Sequence, residues 1–467
     1  EALGAGEREK FRPLLKTRRA RSLSGVSVIA IMLKPLSCKW RCAYCPTSEI
    51  AAKSYTGFEP AALRARRNDF DSFKQVSSRL EQFKAIGHVP QKCELIVMGG
   101  TFNEEPLEYQ REFVKGAFDA FNLFPSASLE EAIAANETAG HRVIGLTFET
   151  RPDCASEEQV KQLMEFGATR IELGVQSLDD RALEKVKRGH GVKESITATK
   201  NVKNAFLKIG YHMMPGLYST PEKDVRMFDE LFSNPDFKPD MLKIYPTLVI
   251  PGTELFVLWK KGEFEPYREE QAAQVIANAK KFVPRYCRIM RVDRDIPTFK
   301  IADGVKKTNL RELVQEEVKR LGLNCICIRC REVGLASRFK EIDPNSIELH
   351  RLDYEASGGK EVFLSFDTSE DYLVGFLRLR AFENEGGVKC GVRELRVYGE
   401  QVAIGGKSEK AFQHKSFGRT LLQEAEKIAR EEFGAEELAV TSGVGVREYY
   451  KKSGYSLEKP YMVKQLK

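Results

Sequence analysis

Short apolar runs alternate with helical patterns between residues 26 and 249 of the chain. The runs have the length and composition of strands, and the segments between them, such as 157–166, carry apolar residues at helical spacing. The predicted strands are 26–33, 94–99, 143–149, 170–175, 211–215 and 241–246. Strand–helix alternation predicts a parallel sheet with right-handed crossovers. Six such units predict a partial (β/α)6 barrel, open on one side, with its chemistry at the carboxyl ends of the strands.

The pattern changes after about residue 345. Segments 362–366, 372–380 and 392–397 alternate like antiparallel strands, and they precede a helix at 419–432, a strand at 438–441 and a helix at 447–452. A second, smaller α/β domain is therefore expected. We divide the chain into a basic arm (1–21), the barrel (22–300), a connector (301–340) and the second domain (341–467).

Composition excludes several classes of protein. With 467 residues, 42% of them hydrophobic and 30% charged, the chain is globular and not disordered, collagenous or a disulfide scaffold. Its longest apolar run, 28–33, is far shorter than the ~20 residues of a membrane span. No cleavable signal is visible, so we expect a cytoplasmic protein. The net charge is +7, and segment 1–21 holds seven basic and three acidic residues. This arm suits a phosphate backbone, although a solvated tail is an equal alternative.

Three cysteines follow the first predicted strand directly, with the spacing Cys38-x3-Cys42-x2-Cys45. Three thiolates on one loop can hold three irons of a 4Fe–4S cluster and leave the fourth iron open. S-adenosylmethionine (SAM) requires such an open iron. Structural zinc is disfavoured because no fourth ligand lies nearby in sequence. Candidate cofactor-binding residues at other strand ends are Gly99, Gly100, Thr101, Glu172 and Gln176.

A second cysteine cluster, Cys325-x-Cys327-x2-Cys330, lies in the connector. We favour zinc bound between the domains, with a fourth ligand that is absent or is supplied by Cys287, Cys390 or His350. A cysteine turn without metal is the alternative.

Near the start of the predicted helix at 419–432, Gln413-His414-Lys415-Ser416-Phe417-Gly418 resembles the coenzyme A loop of GNAT acetyltransferases. In that loop backbone N–H groups at a helix N-terminus hold the pyrophosphate. Ser416 stands where the family usually has Gly, which reduces backbone freedom. Tyr449 and Tyr450 are candidate catalytic residues, because a tyrosine there can protonate a departing thiolate. Core aromatic residues of a helix are the alternative.

Longer stretches carry a resemblance that covers the chain from about residue 20 to its end. An iron–sulfur SAM barrel joined to a GNAT domain resembles the catalytic (third) subunit of Elongator, and the second cysteine cluster resembles its archaeal and bacterial single-chain versions. The stretches are SYTG at 54–57, MGGTF at 98–102, ETRPD at 149–153, ELGVQS at 172–177, HMMP at 212–215, KIYPTL at 243–248 and SGVGVR at 442–447.

This resemblance implies carboxymethylation of the tRNA wobble uridine. Cys38, Cys42 and Cys45 would hold the cluster, and the 5′-deoxyadenosyl radical made from SAM would activate the methyl group of acetyl-CoA. Addition to carbon 5 of the uracil and thioester hydrolysis would give 5-carboxymethyluridine. The implied partners are the anticodon stem-loop of tRNA, bound by the arm and the connector, acetyl-CoA and an electron donor. The implied acetyl-CoA contacts are Lys92, Glu394, Leu395, Arg396, Val397, Phe417, Gly418, Arg419 and Tyr450, with Lys92 expected near the barrel mouth.

Lys243 is a further candidate, because a lysine inside a strand needs a partner. Two other functions compete with the tRNA modification. The chain could be a protein lysine N-acetyltransferase with the barrel as scaffold, for which Glu394 is the clear local general base. It could also be a tRNA-binding chaperone, but the complete cysteine triad argues against a vestigial cluster.

Overall fold

A curved sheet of seven parallel strands forms the first half of the molecule. The computed structural model describes residues 25–336, 342–399 and 416–466, so the basic arm and Gln413 lie outside the described residues. The strands follow one another in chain order, with β1 and β7 at the two ends, and the barrel is open between them. They are β1 (Ser27–Met32), β2 (Lys92–Met98), β3 (Arg142–Thr150), β4 (Arg170–Gln176), β5 (Lys208–Met213), β6 (Met241–Ile244) and β7 (Arg288–Arg291).

The prediction of six strands was one strand short. β7 pairs in parallel with β6, with Leu242 opposite Ile289. Its four residues are two arginines around Ile289 and Met290, so it contains no apolar run that the sequence pattern could reveal. The expected open barrel is confirmed.

Helices on the outer face of the sheet supply the crossovers. Their apolar sides pack on the buried residues of the strands and form one continuous core. None of the helices in the described ranges combines the length and the hydropathy that a bilayer crossing requires. The barrel helices are α1 (Pro60–Arg67), α2 (Ser72–Ala85), α3 (Leu107–Asn122), α4 (Leu129–Asn136), α5 (Glu157–Glu165), α6 (Asp180–Lys185), α7 (Val192–Asn204), α8 (Pro221–Ser233), α9 (Glu254–Lys260) and α10 (Glu269–Ala279).

Three connector helices lead to a second sheet. They are α11 (Leu310–Arg320), α12 (Ile328–Arg331) and α13 (Val333–Ala336). The strands of the second sheet are β8 (Ile347–Ala356), β9 (Gly359–Thr368), β10 (Leu373–Asn384), β11 (Gly387–Val397), β12 (Glu437–Val440), β13 (Ser456–Glu458) and β14 (Tyr461–Gln465), and its helices are α14 (Phe417–Glu431) and α15 (Arg447–Lys451). Neighbours pair antiparallel except for β11 and β12, which run parallel.

The sequence did not predict β8, β13 or β14. Most side chains of β8 are exposed, so its sequence lacks the alternation that marks a half-buried strand. β13 has three residues, which is too short for any periodic signal.

Buried ion pairs join the second sheet to the barrel. The guanidinium of Arg393 on β11 donates two hydrogen bonds of 2.7 Å to Asp240, which precedes β6, and also reaches Glu361 on β9 at 2.8 Å. Lys203 of α7 lies 3.4 Å from the same Glu361 carboxylate. All four side chains are at most 1% exposed. The two halves therefore hold a fixed position relative to each other.

We expect Arg393→Met to lower the free energy of unfolding by about 3–5 kcal/mol, because it leaves the carboxylates of Asp240 and Glu361 buried without their partner. Urea denaturation followed by circular dichroism measures the change. Arg351→Met is the matched control. Arg351 pairs with Glu432 at 2.6 Å on the surface, so its loss should cost about 1 kcal/mol or less. Equal effects of the two substitutions would contradict this account.

Candidate active site

The loop that carries Cys38, Cys42 and Cys45 follows β1 and lies at the carboxyl ends of the barrel strands. Ala43 in this loop is buried, and its N–H donates to the carbonyl of Val186 at 2.9 Å. The three cysteines beside it are half-buried. Their thiols line a cavity of about 140 Å³ together with residues from the ends of several strands. Those residues include Gly100, Thr101, Glu149, Gly174, Gln176, His212 and Tyr245.

The two glycines after β2 differ in their surroundings. A Cβ on Gly99 would lie 2.6 Å from the Cβ of Ala52, so this position excludes side chains for packing reasons. Gly100 has φ +68°, lines the cavity, and has nothing within 4 Å of the place where a Cβ would lie. The open backbone of Gly100 thus leaves room for a ligand, whereas Gly99 serves the loop's packing.

Two guanidinium groups contact the sulfur of Cys42. Arg151 donates to it at 3.7 Å and Arg188 at 3.6 Å. Arg151 stacks on the ring of Trp40 at 4.0 Å, and Arg188 also donates to His190 Nε2 at 2.9 Å. Burial and the Arg188 charge lower the pKa of His190 to about 4, so its ring is neutral and accepts this bond. Cationic donors of this kind stabilise a thiolate and the anionic cluster that thiolates would hold.

Lys243 and Glu172 lie one layer below the cavity. The Lys243 ammonium pairs with Glu172 and, at 2.9 Å, with Glu149. His212, which does line the cavity, contacts Glu172 at 3.0 Å. Burial favours the neutral amine, but the two carboxylates outweigh it and hold the pKa of Lys243 well above its usual range. Its charge is balanced inside the protein, and its predicted catalytic role stays a prediction.

A second cavity, of about 610 Å³, lies between the barrel and the second sheet. It gathers most of the residues that we selected for acetyl-CoA, which come from four separate parts of the sequence. They are Lys92, Glu394, Leu395, Arg396, Val397, Phe417, Gly418, Arg419, Tyr449 and Tyr450.

The expected position of Lys92 near the barrel mouth was wrong. Lys92 is the first residue of β2 and lies at the amino end of the strands, opposite to the cysteine loop. On β5, Lys208 lines the second cavity and His212 the first. The two residues are four steps apart along the strand, which corresponds to about 13 Å. The two cavities therefore lie at opposite ends of the barrel.

Cationic side chains, a strand and the start of a helix line the second cavity. β11 pairs with β12 at Gly391 and Val392, and the following residues of β11, Glu394 to Val397, line the cavity. The first turn of the 15-residue helix α14 borders it as well, which offers N–H groups to an anion. The basic lining residues are Lys92, Arg142, Lys208, Arg396, Arg419 and Lys452.

The two candidate tyrosines differ in exposure. Tyr450 is 5% exposed and Tyr449 is 40% exposed, and both border the cavity. The hydroxyl of Tyr449 lies 3.2 Å from where a Cβ on Gly418 would be, so the helix turn and the ring are in close contact. Tyr450 thus combines the buried position of a core residue with access to the ligand cavity.

Comparison with known proteins places these features in one family. The Radical SAM superfamily model matches residues 35–232, the Radical_SAM C-terminal domain model matches 239–320, and the Acetyltransferase (GNAT) family model matches 333–455. The tRNA uridine(34) acetyltransferase of Methanocaldococcus infernus is 49% identical over 98% of this chain and 89% of its own length. Elongator complex protein 3 of Homo sapiens is 42% identical over 98% of this chain and 88% of its own length. The chain belongs to the Elongator complex protein 3 family.

A solved structure agrees with this assignment. The archaeal Elp3 of Methanocaldococcus infernus, with residues 1–46 deleted, has a TM-score of 0.84 at 46% identity and covers 95% of this chain and 100% of its own. The predicted fold class, a radical SAM barrel joined to a GNAT-like domain, is confirmed for this Elongator complex protein 3 family member.

The three sulfurs of the second cysteine cluster lie close together. Among the described residues, the sulfurs of Cys325, Cys327 and Cys330 lie within 4.8 Å of one another, and no fourth Cys, His or carboxylate joins them at that distance. The carbonyl of Cys287 accepts from the N–H of Ile328 beside the cluster at 2.9 Å. The other two candidate ligands, Cys390 and His350, lie on β11 and β8.

Ser416 has φ +65° and ψ −4° at the start of α14. This is the left-handed conformation that the usual glycine adopts without strain. We expect Ser416→Gly to raise the free energy of unfolding by about 1 kcal/mol and to preserve CoA binding. Ser416→Val should weaken CoA binding, because a β-branched residue is poorly tolerated at positive φ.

Thermal unfolding and isothermal titration with CoA measure the two effects. Ser453→Gly is the control, since Ser453 is not among the residues with positive φ and gains nothing from glycine. A loss of stability in Ser416→Gly would show that the serine is not strained.

Proposed function

We propose that this chain is a tRNA wobble-uridine carboxymethyltransferase that uses SAM-derived radical chemistry on acetyl-CoA to form 5-carboxymethyluridine. The observation that carries the proposal is the presence of two built cavities in one molecule. One is lined by the cysteine loop and the strand ends, and the other by cations, a strand and a helix N-terminus. The relatives named tRNA uridine(34) acetyltransferase support uridine 34 of tRNA as the position that is modified.

Cys38, Cys42 and Cys45 would hold the 4Fe–4S cluster. Three thiolates that bind a single zinc lie about 3.8 Å apart. Among the described residues, the sulfurs of these three cysteines do not all lie within 4.8 Å of one another. A wider spacing suits a cluster in which each cysteine binds its own iron. When bound, the reduced cluster and SAM supply a 5′-deoxyadenosyl radical. The electron must come from an external donor.

The second cavity would bind acetyl-CoA. Lys92, Arg419 and the first turn of α14 line this cavity and would hold phosphates, and Glu394 to Val397 of β11 would contact the pantetheine arm. Burial raises the pKa of Tyr450 well above its ordinary value. Its hydroxyl therefore stays protonated and can donate to a thioester or to a leaving thiolate.

The acetyltransferase alternative is weakened by the state of Glu394. Burial alone would raise the pKa of this carboxyl, but Lys208, Arg378 and Arg396 outweigh it and lower the pKa. Arg378 Nε also donates to Glu394 at 2.9 Å. A general base works best with a pKa near the operating pH. Glu394 is thus a poor base for activating a lysine amine.

The tRNA anticodon loop would enter the cysteine-loop cavity with the target base unstacked. The basic arm and the connector would bind the phosphate backbone. All ten cysteines are free thiols, which supports a reducing compartment, the cytoplasm.

Labelled carboxymethyluridine is the expected product when anaerobically reconstituted protein receives reductant, SAM, tRNA and methyl-labelled acetyl-CoA. Nucleoside mass spectrometry detects it. Cys42→Ala should abolish the label because the cluster loses a ligand, whereas Cys93→Ala, a buried thiol outside the loop, should retain it.

Two outcomes would contradict the proposal in different ways. 5′-Deoxyadenosine without labelled nucleoside would keep the radical step but require another substrate. If neither product formed and a lysine peptide became acetylated, the alternative function would hold.

We further propose that Cys325, Cys327 and Cys330 hold zinc. Their sulfurs already have close to the spacing of a tetrahedral site. Lys280 lies 4.0 Å from the sulfur of Cys330, and its charge favours thiolates. Water would complete the site, since Cys287, Cys390 and His350 are all outside the group. Through α12 and α13 such a zinc would stiffen the connector between the two halves.

Mass spectrometry of metals in the purified protein should find about one zinc per chain. Cys327→Ser should lose this zinc and lower the thermal midpoint. Cys390→Ala is the matched control, because it removes a buried thiol on β11 and should leave the zinc in place. Zinc retained in Cys327→Ser would contradict the assignment.

A further inference from the structure

Two aromatic rings, the exposed Phe299 and the half-buried Phe58, lie next to the segments that line the cysteine-loop cavity. Phe299 is 71% exposed, the largest fraction among the large hydrophobic residues that the structure describes. Its ring lies 5.4 Å from that of Phe58, edge to face. The ammonium of Lys300 lies 4.2 Å from the centre of the Phe58 ring and 5.6 Å from that of Phe299. None of these three residues lines the cavity itself.

The pair is located where two cavity walls meet. Phe58 lies in the segment 53–61, which contributes Lys53, Ser54, Tyr55, Glu59 and Ala61 to the cavity. Phe299 follows three residues after Ile296, which ends the other wall segment. The aromatic pair thus borders the opening through which a base would reach the cavity.

Hydrogen bonds hold both segments in place. Arg294 of one segment donates to the carbonyl of Ser54 of the other at 2.6 Å. The buried carboxylate of Glu59 accepts from the N–H groups of Thr56 and Gly57 at 2.8 and 3.0 Å and fixes the turn before Phe58. The turn with Phe299 is closed by the N–H of Lys300, which donates to Pro297 at 2.9 Å. A preorganised surface of this kind loses little conformational entropy on binding.

We propose that Phe58, Phe299 and Lys300 form a stacking site for an unpaired nucleobase next to the one that enters the cavity. The inference rests on the proposed function, which brings a single-stranded anticodon loop to this opening. Rigid aromatic rings beside cations are the usual platform for unstacked bases, with the rings contacting the base and the cation contacting the phosphate. Arg66, which donates to the carbonyl of Gly57 at 3.5 Å, adds positive charge beside Phe58. The positive charge of Lys300 and Arg66 beside the rings favours RNA, which carries phosphates, over a protein partner.

Binding of a fluorescein-labelled anticodon stem-loop RNA, measured by anisotropy at fixed salt, tests the site. Phe299→Ala should raise Kd about 5- to 100-fold, the range that corresponds to the loss of one base–aromatic stack. Phe299→Tyr should bind like the wild type. Phe124→Ala is the matched control, because Phe124 is 50% exposed but lines neither of the two cavities described above. Phe299 is exposed, so circular dichroism should show unchanged folding.

A base-specific readout separates stacking from general binding. 2-Aminopurine placed beside the wobble position should be quenched on binding to the wild type and less quenched on binding to Phe299→Ala. An abasic nucleotide at the stacked position should remove the difference between the two proteins.

Two outcomes would reject the proposed stacking site. Wild-type affinity and quenching in Phe299→Ala, in an enzyme that still forms carboxymethyluridine, would leave the proposed function intact and reject the platform. Failure of the wild type to bind or modify the RNA would overturn the proposed function, and the platform with it.

Discussion

The contact between Arg393 and Asp240 fixes the geometry on which both cavities depend. Asp240 lies just before β6 of the barrel and Arg393 lies on β11, and the two hydrogen bonds of 2.7 Å between them are fully buried. Because Glu361 shares the same guanidinium, the second sheet cannot slide without exposing or unpairing charge in the interior. The larger cavity has one wall from the barrel and one from the second sheet, so its shape follows from this buried network.

Between the two cavities, which lie at opposite ends of the barrel, runs a column of buried charged side chains. Glu94 lies 2.5 Å from Arg170, Arg170 lies 3.1 Å from Glu172, and Lys243 bridges Glu172 and Glu149. Burial alone would raise the pKa of Glu94, but Arg170, Arg396 and Lys208 lower it to about 2. The Glu94 carboxylate therefore stays ionised near neutral pH. Closed barrels fill this space with apolar layers. Here buried charged side chains occupy part of this space.

Features set by local spacing were predictable from the sequence, and features set by distant contacts were not. The cysteine triad, the strand ends and the helix-start loop at Ser416 are each complete within a few residues. Arg188, by contrast, reaches the sulfur of Cys42 across 146 positions, and its own neighbourhood gives no signal for this contact. The true position of Lys92 could have been predicted from the sequence, because a residue that begins a strand lies at the amino end of the barrel. The interface with Asp240 was not predictable because sequence periodicity does not say which sheet covers which end of a barrel.

The opposite openings also determine how two large substrates can be bound together. RNA that reaches the cysteine loop approaches the carboxyl ends of the strands, whereas the cationic cavity opens at the amino ends. Under the proposed function the two ligands would therefore not compete for the same surface. Because the proposed reaction joins groups bound at opposite ends of the barrel, it requires the acetyl group to move from one end to the other. The gap between β1 and β7 is the side of the barrel at which such a movement would not have to separate paired strands.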